Sequence, residues 1–272
     1  MNDPLSPLLK HFPLNVGPIH PAAVSPITST AATGWLHLLL RGPVQIAPHP
    51  PVLQPAVLWL PAPTAAHMPR ALSDDGALLW SAPVDFGDAA LNPLIPCLPT
   101  LCVRPVRGMP QAMAATWALL ADEIGTAAHV HREVLSRLAE VLLLMVLRQQ
   151  VEQAQGKVGL LGAFSDDRLR RVLHAIHTRP GEPWTLQTLA AEAGWSRTML
   201  ATRFRAVVGV PPGDYLTDWR LRVARLRLAE GWTVKDVAAA VGYASPAALT
   251  RVCTQRLGAP PTRWHPPASA GQ

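Results

Sequence analysis

Two segments of the chain place hydrogen-bonding side chains at the beginning of a helical pattern. The first reads GWSRTMLATRFRAVVGVPP from residue 194, and the second reads GYASPAALTRVCTQRLGAPP from residue 242. In each, a Ser suited to capping a helix precedes positions that carry hydroxyl or guanidinium groups. Such groups donate hydrogen bonds to phosphate oxygens and to the edges of bases. The two segments therefore favour recognition of a nucleic acid.

The two segments belong to a longer internal repeat. Residues 189–194 match residues 237–242 at an offset of 48, and the offset becomes 49 between Ser196 and Ser245. Each unit is predicted to contain a short helix, a turn with Gly, and a second helix that begins after Ser. The apolar positions shared by the units are predicted to face the core: Leu200, Phe204, Leu249 and Cys253.

The outward positions of the second helices differ between the two units. Ala-rich helix pairs joined at Gly are also common in structural bundles, so one such unit would be weak support for DNA binding. Two units with a shared core pattern and different outward residues are what two reading modules for different base sequences require. The outward positions are Arg197, Thr198, Ala201 and Thr202 in the first unit and Pro246, Ala247, Thr250 and Arg251 in the second.

Charge is distributed unevenly along the chain. Residues 1–155 hold 8 Lys and Arg against 10 Asp and Glu, whereas residues 156–272 hold 16 against 8. The net charge of +6 therefore arises in the C-terminal part, which contains both repeat units. A preference for Arg over Lys would explain the type of basic residue but not this excess over acids. The asymmetry indicates a polyanionic partner.

Residues 166–265 resemble the DNA-binding domain of the AraC/XylS family. The resemblance is carried by PWTLQTLAAEAGWSRTMLATRFRAVVGVPPGDYLTDWRLRVARLRL and by TVKDVAAAVGYASPAALTRVCTQRLGAPPTRW. It implies two helix-turn-helix modules joined by one long helix, here at about 213–230, with both recognition helices in successive major grooves. The chain departs from the family pattern at Leu249 and Cys253, where Phe is usual. This smaller pair predicts a looser core in the second module.

The resemblance also implies which residues contact DNA. Pro246 and Ala247 replace polar residues that often reach bases, so we expect the first module and Arg251 to provide most direct sequence readout. For Arg203, a phosphate contact and a position on the solvated flank are equally favoured. The predicted DNA-contacting residues are Ser196, Arg197, Thr198, Ala201, Thr202, Arg203, Ser245, Pro246, Ala247, Thr250 and Arg251.

The N-terminal part has a different character. Residues 1–110 contain 20 of the 29 prolines, a density that excludes long helices. Short apolar or alternating runs at 35–42, 57–62, 77–86 and 100–106 predict a small all-β barrel or sandwich. The stretches LHLLLRG, VLWLPAPTAAHMPRAL and NPLIPCLPTLCVRP are similar, more loosely, to the cupin-type sensor domains that precede AraC-type modules. The resemblance implies a sensor and dimerisation domain.

Two helices are predicted after Met109. The second carries a stripe wide enough to pack on the barrel, on a second copy of the chain, or on both. These alternatives stay open, and a homodimer is expected. The stripe contains Val134, Leu135, Leu138, Val141, Leu142, Met145 and Val146.

The histidines of the N-terminal part do not form a metal-binding pattern. His37, His49 and His67 are isolated, and no Glu precedes Glu123, whereas metal-binding cupins cluster His with Glu. We therefore predict no metal and no other cofactor, and the histidines are assigned to the core or to the rim of a pocket.

The three cysteines are predicted to make no disulfide framework and no CxxC metal pair, and their odd number fits a reducing compartment. Cys97 and Cys102 are candidate redox-sensing thiols, and Arg104 lies close enough in sequence to lower a thiol pKa. Burial as small apolar residues is the simpler alternative for both.

The fold class predicted is α+β: an N-terminal cupin-like barrel with flanking helices and a C-terminal all-α domain of two helix-turn-helix modules. The predicted segments are a sensor barrel at 1–108, a helical dimerisation or packing segment at 109–155, a linker at 156–165, the DNA-binding domain at 166–265 and a disordered tail at 266–272. No run of eighteen apolar residues and no signal peptide is recognised, so we expect a cytoplasmic, nucleoid-associated protein without a membrane partner.

The predicted function is a sequence-specific transcription regulator, either activator or repressor. It would bind promoter or operator DNA and respond to a small molecule or chemical signal sensed by the N-terminal domain. RNA polymerase is a further candidate partner, and no catalytic residues are predicted. Two alternatives are a cupin-type enzyme with a DNA-binding tail and a DNA-binding protein without an effector.

Overall fold

The chain divides into two compact units. One contains residues 12–153, and the other contains residues from 154 onward together with the described part of the first eleven residues. Strands dominate the first unit and helices the second, which confirms the α+β class. The computed structural model describes residues 3, 5–22, 27–28, 34–62, 66–67, 69–73, 76–125 and 131–263.

Short antiparallel strands make up most of the first unit. In chain order they are β1 (Asn15–Val16), β2 (His20–Pro21), β3 (Ile27–Thr28), β4 (Gly34–Arg41), β5 (Val44–Ile46), β6 (Ala56–Leu60), β7 (Ala66–His67), β8 (Pro69–Ala71), β9 (Leu78–Asp85) and β10 (Cys102–Pro105). The main sheet has the order β1-β9-β4-β6-β10, with β2 also paired to β9. The four sequence runs predicted as strands coincide with β4, β6, β9 and β10.

The register of the main sheet sorts its side chains onto two faces, because successive residues of a strand point to opposite sides. One face carries a buried apolar cluster that includes Leu39, Leu58 and Leu79. His37 pairs in register with Leu58 on one side and with Ser81 on the other, so it belongs to this apolar face. His37 and Ser81, whose side chains are hydrogen-bonded to each other, therefore lie among apolar side chains.

Two helices follow the sheet, as predicted: α2 (Gln111–Gly125) and α3 (Arg132–Gln153). They pack against each other, and α3 also packs against β1. There the Val16 amide donates to Oε1 of Glu140 at 3.1 Å. Three residues of the predicted apolar stripe of α3 are buried: Leu135, Leu142 and Val146.

Helices form the second unit. They are α1 (Ser6–Leu9), α4 (Leu160–Ser165), α5 (Asp167–Thr178), α6 (Leu186–Ala193), α7 (Arg197–Val208), α8 (Pro212–Ala229), α9 (Val234–Ala240) and α10 (Pro246–Leu257). The long joining helix expected at about 213–230 is α8. Within the described part of the chain, no helix combines the length and apolar character needed to cross a bilayer.

Two segments of the second unit differ from the predicted organisation. Residues 156–165 were predicted to be a linker, but they contain α4, whose Leu160 and Phe164 are buried. The first eleven residues were predicted to belong to the barrel, but they group with the helical unit. The tail at 266–272 lies outside the described residues.

Helix α1 contributes to the core of the helical unit through its contact with α5. Leu8 is fully buried, and Leu5, just before the helix, is nearly so. His11 follows the helix, and its ring lies 5.4 Å from the ring of Trp219 of α8 at a steep angle of 78°.

Candidate nucleic-acid interface

The first predicted reading module consists of α6 and α7. Thr185 and Thr188 exchange hydrogen bonds in a capping box that starts α6. Gly194 ends α6 in the left-handed conformation, with φ of 62°, and this allows the chain to turn sharply. Ser196 then accepts a hydrogen bond from the Met199 amide at 3.2 Å and caps α7. The first turn of α7 is thereby fixed in space.

The second module repeats this construction with α9 and α10. Thr233 caps α9 by accepting a hydrogen bond from the Asp236 amide. Gly242 has φ of 81°, and Ser245 accepts from the Ala248 amide at 3.2 Å to cap α10. Pro246 occupies the first helical position, where its missing amide hydrogen costs nothing. Both Ser caps that the sequence predicted are therefore present.

The predicted DNA-contacting residues and the predicted core residues lie on opposite sides of α7 and α10. The four repeated core positions are fully buried: Leu200, Phe204, Leu249 and Cys253. The exposed members of the predicted contact set are Ser196, Arg197, Thr198, Thr202, Arg203, Pro246, Ala247 and Arg251, and the partly exposed members are Ala201, Ser245 and Thr250. These exposures leave the outer faces of both helices open to solvent, while the base contacts stay predictions.

Arg203 has an acidic neighbour within its own unit. Its Nη2 lies 3.8 Å from Oδ2 of Asp166, whose Oδ1 accepts from the Arg168 amide at the start of α5. Exposed ion pairs of this length contribute little to stability. The contact therefore leaves Arg203 able to exchange its carboxylate partner for a phosphate.

Met199 was missed by the sequence reasoning. Its side chain is 53% exposed in the first turn of α7, beside Thr198. A large apolar side chain at such a place is suited to contact the methyl group of thymine. The sequence feature that could have identified Met199 is its position, three residues after the capping Ser196.

The repeat also extends further upstream than the sequence reasoning found. The guanidinium of Arg179 lies 4.9 Å from the ring centroid of Trp184, and that of Arg227 lies 4.7 Å from Trp232. Both members of the second pair follow the first at an offset of 48. The same cation–π contact therefore precedes both modules.

An ion pair accompanies the cation–π contact in both copies of the repeat. Arg179 pairs with Glu182 at 3.3 Å, and Arg227 pairs with Glu230 at 2.8 Å. In both copies the Trp is followed directly by the Thr that caps the next helix. The pattern R-x-x-E-x-W-T was the sequence signal. Each module is therefore a unit of three helices, led by α5 in the first copy and by α8 in the second.

Comparison with known proteins agrees with both halves of this structure. A helix-turn-helix domain model matches residues 189–265, and a cupin model matches residues 3–152, more than half of the chain. A putative AraC-like transcription regulator of Streptomyces lividans is 36% identical over 203 residues, which cover 72% of this chain and 66% of that protein. The chain belongs to the AraC family of DNA-binding transcription regulators. Its N-terminal cupin domain and C-terminal helix-turn-helix domain are those that the resemblance predicted.

Two further proteins are similar to parts of this chain. A putative AraC-like transcription regulator of Streptomyces antibioticus is also 36% identical over 203 residues, covering 72% of this chain and 67% of that protein. The DNA-binding domain of AdpA, solved in complex with a target DNA, is 32% identical and covers 36% of this chain and 89% of that chain, with a TM-score of 0.33. The chain thus spans about two thirds of the length of the curated AraC-like relatives.

The cysteines of this AraC-family cupin domain differ in environment. Cys97 is exposed, and its thiol donates to the Pro93 carbonyl oxygen at 3.4 Å. Cys102 is buried opposite Trp59 in the sheet, and burial raises its thiol pKa to about 11 although Arg104 works against this. The environment of Cys102 therefore opposes thiolate formation, and redox sensing by the pair stays a prediction.

Among the residues that the structure describes, no group of three or more His, Cys, Asp and Glu is arranged to hold a metal ion. His37 is fully buried, and its Nδ1 lies 2.6 Å from Oγ of Ser81. His49 lies in a turn, where its amide donates to the Ile46 carbonyl. For His67 the structure describes the backbone and not the side chain.

Proposed function

We propose that this AraC-family protein reads two DNA elements at once, with the first turns of α7 and α10 in successive major grooves. The observation that carries the proposal is the placement of Arg197, Thr198 and Arg251 on the exposed sides of two N-capped helices. Guanidinium and hydroxyl groups in that position can donate to base edges. The DNA would be promoter or operator DNA of the nucleoid.

The test is selection of bound sequences from random duplex DNA by the full-length protein. We expect two enriched blocks whose centres lie about one helical turn, 10–10.5 bp, apart. The block under α7 should be the more strongly defined, because α10 presents Pro246 and Ala247. Equal binding to all sequences would instead support a DNA-binding protein without sequence preference.

We further propose that the cupin domain binds a small effector on the apolar face of its sheet. The His37–Ser81 pair offers the polar contact there, and Trp35 lies parallel to the His37 ring at 6.3 Å. Such surroundings match the chemistry of a mainly apolar molecule with one hydrogen-bonding group. Binding would change the affinity for DNA only if one DNA-binding arrangement holds the effector more tightly.

A library of small organic molecules, screened by thermal unfolding of the full-length protein, tests this proposal. A true effector should raise the unfolding midpoint of the wild type and not that of a His37→Leu variant. It should also change DNA affinity in the wild type. A hit that stabilises both proteins equally would argue against this face as the effector site.

We propose that the protein is not an enzyme. The relatives named above are transcription regulators, and the described residues do not assemble metal ligands of the cupin type. Elemental analysis of the purified protein would decide against this proposal if it found a stoichiometric transition metal. That result would favour the alternative of a cupin-type enzyme with a DNA-binding tail.

We propose that α3 also mediates a homodimer. Within its predicted stripe, Leu135, Leu142 and Val146 are buried, whereas Val134 and Val141 are exposed. Val134 and Val141 are seven positions apart, which is the repeat found along the contact face of paired helices. Sedimentation should show a dimer for the wild type and a monomer for Val141→Glu.

RNA polymerase is the proposed further partner if the protein activates transcription.

A further inference from the structure

Arg220 connects the joining helix to the first module. It lies in α8, and its Nε donates to the Pro180 carbonyl oxygen at 2.8 Å. Its Nη2 donates to the Glu182 carbonyl oxygen at 2.7 Å. Both acceptors belong to the loop between α5 and α6. One side chain of the joining helix thus holds the loop from which the first helix-turn-helix begins.

The same guanidinium reaches the second module. Its central carbon lies 5.8 Å from the ring centroid of Tyr243, which directly follows the turn residue Gly242. A Cβ atom added to Gly242 would lie 2.8 Å from Nη2 of Arg220. Arg220 therefore contacts the loop of one module and the turn of the other at the same time. We refer to Gly181, Arg220, Gly242 and Tyr243 as the module junction.

The backbones at the module junction are in direct contact. A Cβ atom on Gly242 would lie 2.6 Å from the carbonyl oxygen of Gly181. A Cβ atom on Gly181 would lie 2.6 Å from the carbonyl oxygen of Ala240. Both distances are shorter than real Cβ contacts, so neither glycine can accept a side chain without displacing the other segment. The contact therefore admits a narrow range of module orientations.

Arg220 is well suited to hold this contact. It is half-buried, and burial lowers its guanidinium pKa, but arginine stays protonated in proteins. Hydrogen bonds from a charged donor to carbonyl oxygens are stronger than neutral ones. The matching position of α5, 48 residues earlier, is the buried Val172. Arginine is thus found in the copy that joins the modules and not in the other copy.

We propose that Arg220 is a positioning residue that sets the spacing between the two DNA elements that the protein reads together. The inference rests on the proposed two-module readout. Helices in adjacent grooves of one DNA face must stay in phase with the helical repeat of about 10–10.5 bp. By fixing the orientation of α10 relative to α7, Arg220 excludes binding sites with a different spacing.

The experiment uses full-length protein and the duplex obtained by selection, together with duplexes that have one or two base pairs inserted or removed between the elements. Wild-type affinity should fall by about tenfold or more on altered duplexes, because one helix loses its base contacts. Arg220→Ala should reduce this discrimination to about threefold or less, at the expense of affinity for the best site. Arg220→Lys, which keeps the charge but not the two-pronged geometry, should lie between them.

Two further variants separate positioning from folding. Gly181→Ala keeps the Arg220 side chain but forces the backbones at Gly181 and Ala240 apart, so it should also alter the preferred spacing. Arg227→Ala removes another arginine of α8 that contacts an aromatic ring, but its partners Glu230 and Trp232 lie outside the junction. Its spacing preference should match the wild type. Circular dichroism and thermal unfolding identify any variant whose binding change comes from misfolding.

The outcomes are distinct. An unchanged spacing preference in Arg220→Ala, or an equal loss of its affinity on every duplex, would overturn the role of Arg220. A wild-type protein that binds all spacings equally would show that the two-module readout itself is wrong. The wild-type measurement alone gives that result, so a failure of the two-module readout can be distinguished from a failure of the role of Arg220. A reduced discrimination in Arg220→Ala, with Arg227→Ala unchanged, is the supporting result.

Discussion

The Nε2 atom of His177 lies 2.8 Å from the hydroxyl oxygen of Tyr215 in the core of the helical unit. The imidazole is buried, and its ring centroid is 4.4 Å from that of Trp219. Burial is the main reason that the His177 pKa is lowered to about 3. The neighbouring groups that lower it further are His11, His174 and Arg222.

Acidification should therefore destabilise the protein. The unfolded chain protonates His177 near pH 6.5, whereas the folded protein does so only near pH 3, so the unfolded state binds more protons between these values. The free energy of unfolding should be greatest above this window and fall within it, by up to about 1.4 kcal/mol per pH unit from this residue. Urea unfolding near neutral and mildly acidic pH, compared between wild type and His177→Gln, measures the effect. The same slope in both proteins would contradict the assignment.

The two turn glycines of the repeat should differ in their tolerance of alanine. Gly194 and Gly242 both have positive φ, which costs a residue with Cβ about 1–2 kcal/mol. A Cβ atom on Gly194 has no neighbour within 4 Å, whereas one on Gly242 meets Gly181. Gly194→Ala should therefore show only the backbone cost, and Gly242→Ala should lose about 1–3 kcal/mol more. Thermal or urea unfolding of the two variants gives the comparison, and equal losses would argue against close contact at the module junction.

Arg251 should determine base preference in the second element. Its removal in Arg251→Ala is expected to cost about 1–3 kcal/mol of binding free energy and to relax the preference at one half of the site. The measurement is quantitative binding to the selected duplex and to single-base variants of it. Unchanged affinity together with unchanged base preference would show that Arg251 does not read a base.

Arg203 provides a matched comparison in the other recognition helix. If it exchanges Asp166 for a phosphate, Arg203→Ala should weaken binding to all sequences alike. The slope of the logarithm of affinity against the logarithm of salt concentration should become shallower by about one unit. An unchanged slope would place Arg203 on the solvated flank instead.

The thiols should differ sharply in reactivity. Iodoacetamide should modify the exposed Cys97 first, because burial raises the thiol pKa of Cys102 and of Cys253 to about 11. At neutral pH a thiol of that pKa is ionised in about one molecule in ten thousand. Mass spectrometry after brief labelling measures the order, and rapid labelling of Cys102 would contradict its buried position. If peroxide changes DNA affinity, Cys97→Ala should remove that response.

The elements with clear periodicity could be predicted from the sequence. The helical spacing in α3 reflects one buried face, and the apolar run at 35–42 reflects a strand whose residues 36–39 are all buried, so β4 and α3 appear where they were expected. Helix α4 was missed because three glycines between residues 156 and 162 suggested a linker between domains. A Cβ atom on Gly162 would lie 1.9 Å from the carbonyl oxygen of Lys157, so this glycine permits close packing. Helix α1 has four residues and is too short for a periodic signal.

The candidate DNA-contacting residues could be proposed because capping and core positions repeat within the chain. The module junction could not be proposed in the same way. Arg220 binds carbonyl oxygens, which every residue possesses, so nothing in the letters at 180 and 182 identifies them as its partners. Contacts between a side chain and distant backbone leave no pattern in a single sequence.

The position of α1 has a consequence for exchanging sensor domains between regulators of this family. A chimera joined at residue 154 alone would lack Leu5 and Leu8, which are buried in the helical unit, and the ring of His11 beside Trp219. Its DNA-binding half would expose the apolar surface that these residues cover. A transplantable sensor is therefore an insertion between residues 11 and 154, with one junction at each end.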